Sequence, residues 1–70
     1  MRVDSSYLAS ISYDQLTKIM TVVFTDGAKI AYHEISPRTY NAVAVAKSPG
    51  EAFTRLVRDK YDFTILKQAA

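Results

Sequence analysis

Few residues in this chain are equipped for chemistry. Its single histidine, His33, is followed by Glu34, and general acid–base work would fall on that pair. Neighbouring residues of a strand point to opposite faces, so within a strand Glu34 is poorly placed to orient His33. There is no second histidine, no cysteine, no nucleophile elbow and no metal-ligand spacing. A chain of 70 residues also rarely encloses a ligand pocket of roughly 300 Å³ or more. These features predict a protein that is not an enzyme, with no cofactor, no metal and no small-molecule substrate. His33 is expected on the solvent side of a strand, or as a polar contact at an interface.

A second stretch, Ser48-Pro49-Gly50-Glu51, poses a choice between gripping a phosphate and starting a helix. Free N–H groups at a helix N-terminus attract phosphate. Here the S-x-x-E spacing has the form of a capping box, with proline at the first helical position, and the glutamate would repel an incoming anion. The phosphate-cradling pattern G-x-x-x-x-G-K-[ST] is absent. The stretch reads as a cap.

The remaining candidates are basic. Over residues 1–46, Arg2, Lys18, Lys29 and Arg38 cancel Asp4, Asp14, Asp26 and Glu34. Beyond them Lys47, Arg55, Arg58, Lys60 and Lys67 outnumber Glu51, Asp59 and Asp62, so the formal charge of +2 sits in the last third. That surplus favours an anionic partner only mildly, and a dedicated nucleic-acid binder carries a denser patch.

Hydrophobic periodicity supplies the elements that must position these groups. In "YLASISYD" Leu8 and Ile11 do not alternate cleanly, but composition predicts a short strand ending near Tyr13. In "KIMTVVFTDGAKIAYHEI" alternation runs to Phe24, breaks at Asp26-Gly27 and resumes at Ile30 and Tyr32, which predicts a β-hairpin. Its first arm is apolar on both faces and so belongs at the centre of a sheet. Ser36 before Pro37 predicts an N-cap and a helix to about Ala46, with Tyr40, Val43 and Ala44 on one stripe and small alanines at 42, 44 and 46 for close approach. A second helix from Ser48 places Phe53, Leu56, Val57 and Tyr61 inward. It places Glu51, Arg55 and Arg58 together outward, with Arg55 able to pair with Glu51. "DFTILK" reads as a last short strand.

The expectation is one α+β domain over residues 1–70: an antiparallel β-β-β sheet, then two helices packed on one face, then a short C-terminal strand. A domain of this size has a thin stability margin, about 3–5 kcal/mol. The absence of cysteine fits a reducing cytoplasm. No signal-like or membrane-length apolar run appears, which predicts an intracellular protein with no membrane partner.

The ordered pattern "SSYLASISYD", "MTVVFTDGAKIAY" and "EISPRTYNAVAVAKSPGEAFTRLVRDKY" resembles the KTSC domain, a short bacterial and phage module named after the C-terminus of certain lysyl-tRNA synthetases. The matching residues include Ser5, Ser6, Ile11, Tyr13, Asp14, Val22, Phe24, Gly27, Tyr32, Tyr40, Ala46, Ser48, Gly50, Phe53, Arg58 and Tyr61, spanning about residues 5–62. Two departures stand out. The family's Tyr-x-Tyr is Ile30-Ala31-Tyr32 here, and its Val-Pro is Ile35-Ser36 with proline one place later. The resemblance implies RNA binding through the attachment to a synthetase. By size and context, it also implies a likeness to small phage regulators of host RNA polymerase.

Two binding functions fit these features. RNA recognition by a sheet needs exposed rings beside basic residues, for which Tyr7, Tyr13, Tyr32 and Tyr40 are the candidates. Protein binding needs the arginine and tyrosine character of an interface, which Arg55, Arg58, Lys47, Lys60, Tyr32 and His33 supply. The favoured expectation is a transcription regulator docking on bacterial RNA polymerase through the basic helix face, in the host cytoplasm if phage-encoded. An RNA-binding module is the alternative.

Overall fold

The computed structural model describes residues 8–69. Strands β1 (Leu8–Asp14), β2 (Ile19–Phe24) and β3 (Lys29–Tyr32) are followed by helices α1 (Pro37–Ala44) and α2 (Pro49–Leu56) and by strand β4 (Phe63–Lys67). The strands form one antiparallel sheet in the order β1-β2-β3-β4. This is the α+β order expected from the sequence, with the short closing strand included. Ser5, Ser6 and Tyr7 lie outside the described residues.

The irregular spacing of Leu8 and Ile11 has a structural cause. The register of β1 against β2 shifts between Leu8 and Ser10, and the extra residue of that irregularity returns both side chains to one face. Leu8, Ile11, Met20 and Val22 are buried there against Ile35, Val43, Phe53 and Val57. Phe53 is the hub, with Tyr32 at 5.3 Å and Phe24 at 5.9 Å, both edge-on, the arrangement the ring quadrupole favours.

Side-chain and glycine chemistry sets the turns. Asp14 Oδ1 accepts from the Leu16 and Thr17 amides, and Lys18 closes the turn at φ 58°. In the hairpin Asp26 Oδ1 accepts from the Ala28 amide while Gly27 takes φ 97°, a conformation glycine reaches without a Cβ clash.

Both helices are shorter than periodicity suggests, and only one is capped by its serine. Ser36 Oγ accepts from the Thr39 amide at 3.2 Å. Ser48 occupies the equivalent place before α2 but makes no side-chain cap bond, so the capping box expected from S-x-x-E does not form. Helix α1 stops at Ala44 instead of Ala46, and Ala42 is exposed while Ala44 and Ala46 pack against the core. Helix α2 ends at Leu56, so Tyr61 reaches the core from the following turn.

Candidate partner-binding surfaces

The six residues expected to meet a partner are not gathered on one helix face. Helix α2 ends because the Phe53 carbonyl accepts from both the Val57 and Arg58 amides, and Asp59 then turns the chain at φ 64°. The rotation of about 100° per residue therefore does not carry on from Arg55 to Arg58. Their side chains are exposed at different places.

Arg55 and Lys47 line an open depression at the corner between the helices, with Ala46, Ser48, Glu51 and Ala52. Among the described residues no ion pair joins Arg55 to Glu51. Lys60 and His33 belong to a second depression, shared with Glu34, Asp59, Tyr61 and Asp62. Three carboxylates there outweigh the lysine, so this surface is not basic. Arg58 belongs to a third, of about 300 Å³, with Phe24, Ala28, Ile30 and Tyr32 on its floor and Asp26 on its wall.

Two of the sequence-derived roles change. Tyr32 is 5% exposed, because its ring fills the angle between Phe53 and Phe63. It is a core residue forming the floor of the Arg58 depression, not a projecting anchor. His33 and Glu34 do line one depression, against the strand-alternation argument, because β3 has ended at Tyr32 and Glu34 takes a left-handed φ of 57°. His33 is engaged: its Nε2 lies 2.8 Å from Thr64 Oγ1 and its amide donates to the Asp62 carbonyl.

The aromatic rings cluster on the helix side of the sheet. Tyr13 stacks on Tyr40, Tyr32 packs on Phe53, and Tyr61 packs against the core. The open face of β1 and β2 presents Ser12, Ile19, Thr21 and Val23. Among the described residues none of the rings stands on that face. Missed by sequence reasoning were Phe24 and Ile30 beside Arg58, whose alternation marks them only as core. Phe63 and Ile65, which stay about half exposed, were recognised as strand residues but not as surface.

The model of the KTSC domain family matches residues 4–61 of the chain. The chain belongs to that family. This KTSC domain is 29% identical over 59 residues to a protein of Tsukamurella paurometabola, a match covering 84% of this chain and 88% of that one. Its fold is that of a KTSC domain protein of Yersinia pestis known from a crystal structure, with TM-score 0.91 over 94% of this chain and 93% of the other at 23% identity. Among the described residues no helix is long and apolar enough to cross a membrane, and no group of His, Cys, Asp and Glu is arranged to hold a metal ion.

Proposed function

We propose that this KTSC domain is a protein-binding module, without catalysis of its own, that acts in the cytoplasm by occupying a surface on a larger machine. The transcription apparatus is the proposed partner class, and bacterial RNA polymerase the concrete candidate. The observation that carries the reading is the exposed Arg58 beside a depression floored by Phe24, Ile30 and Tyr32. A guanidinium donates in pairs to a carboxylate, and an apolar floor next to it lets that contact be desolvated, which is the composition of an interface hot spot. The partner is expected to offer an acidic residue flanked by an apolar side chain.

The RNA alternative has less support. Among the described residues no ring stands on the open sheet face, and Lys47, Arg55, Arg58 and Lys60 are divided among three depressions. With a net charge of +2, few phosphates could be neutralised at once.

The test is affinity measurement of the purified domain against immobilised RNA polymerase, with anisotropy on single-stranded RNA at two salt concentrations in parallel. Arg58→Glu is expected to weaken polymerase binding about tenfold or more, while Arg55→Glu, in a different depression, changes it by less than about twofold. Absence of polymerase binding removes that partner. Equal losses from both reversals show that the Arg58 depression is not the docking site. Tight, salt-sensitive RNA binding installs the alternative.

A further inference from the structure

The outer edge of β4 carries a surface that the docking reading does not use. β4 ends the sheet, and its residues from Phe63 to Lys67 are all exposed. Phe63 keeps 54% and Ile65 50% of their surface in water. They lie on the helix side, because they pair with Tyr32 and Ile30. The backbone direction is also fixed. The His33 amide donates to the Asp62 carbonyl at 2.9 Å, so Asp62 and, two residues on, Thr64 turn their polar groups towards β3. Phe63 and Ile65 between and beyond them turn N–H and C=O to the free edge. Among the described residues no strand pairs with this edge, and such an edge accepts another extended strand.

We propose that the strand is β4 of a second copy of this chain, joined antiparallel about a two-fold axis through Thr64. Phe63 then lies opposite Ile65 of the second copy, and Ile65 opposite its Phe63. These are the residues whose outward N–H and C=O groups need partners, so donors meet acceptors on both sides of the axis. Aromatic with β-branched is also a favourable cross-strand pair, and it covers the two apolar side chains now left to water. The β3–β4 register itself shifts between Ile65 and Lys67, which confines the regular seam to Phe63, Thr64 and Ile65. The β1 edge is less suited, since its ladder is interrupted too and none of its large apolar side chains is exposed. The axis is perpendicular to the sheet, so the four-stranded sheet is doubled with all helices on one side. Both Arg58 side chains then face the same way, and the dimer presents its docking surface twice. The seam is smaller than the roughly 800 Å² per partner of a standard interface, so association is concentration-dependent.

Sedimentation equilibrium of the purified chain between about 5 µM and about 1 mM tests the proposal, the upper limit being set by the small seam. The average mass is expected to rise from that of the monomer towards twice that value. The double variant Phe63→Lys with Ile65→Lys changes only exposed positions. It is expected to remain monomeric, with its folding checked by circular dichroism. Because the chain has no cysteine, Thr64→Cys gives a second, independent readout. Across the two-fold its Cα atoms lie about 4.5 Å apart, within disulfide reach, so mild oxidation links it. Ser12→Cys on the β1 edge is expected to link far more slowly. A monomer at every concentration overturns the proposal. So does a dimer that the double lysine variant leaves intact, or one that links faster at position 12 than at 64.

Discussion

Tyr13 and Tyr40 stack with ring centroids 4.9 Å apart and planes 13° from parallel, fastening β1 to α1. The Tyr13 hydroxyl also donates to the carbonyl of Ile35, at the entrance to α1. Tyr13→Phe keeps the stack and leaves the carbonyl of buried Ile35 without that donor. The expected cost is about 0.5–1.5 kcal/mol, read as a fall in Tm of about 4–8 °C per kcal/mol for a domain of this size. An unchanged urea midpoint would show that water replaces the hydroxyl.

The two serines ahead of the helices make a paired test. Ser36→Ala removes the bond to the Thr39 amide and should destabilise the domain by about 1 kcal/mol. Ser48→Ala removes no cap bond, and its effect should stay within about 0.5 kcal/mol. Equal losses in denaturant titrations would contradict the difference between the caps.

Phe53 is fully buried and touches both Phe24 and Tyr32. Truncation to alanine removes the hub and leaves a cavity, at about 3–5 kcal/mol. That equals the whole margin expected of a chain this small. Phe53→Ala should therefore populate the unfolded state at 25 °C, seen as lost amide dispersion in an NMR spectrum.

Lys18 closes the β1–β2 turn in a left-handed conformation, φ 58°, while exposed to water. Relief of roughly 1–2 kcal/mol of Cβ crowding outweighs the extra chain entropy of glycine, roughly 0.5–1 kcal/mol. Lys18→Gly should raise Tm by a few degrees, whereas Gly27→Ala, at φ 97°, should lower it. Calorimetric scans of the two variants check both signs.

Much of the fold can be read from the sequence because it rests on local rules. The alternation through Phe24, the Asp26-Gly27 turn and Ser36-Pro37 act within a few residues. The Arg58 surface was harder to read. A helical projection puts Arg55 and Arg58 together, and that projection fails once the Phe53 carbonyl binds the Arg58 amide and α2 stops. Tyr32 looked available because sequence shows that a strand alternates, not which of its faces the helices cover.

By itself, the sequence determined the α+β order, the hairpin, both helix starts and membership of the KTSC family, since each depends on spacing along the chain. Only the tertiary structure decided where Arg55, Arg58 and Lys60 end up relative to one another, and that Phe63 and Ile65 stay in water. Those outcomes depend on how elements distant in sequence are packed, and residue spacing carries no record of that distance.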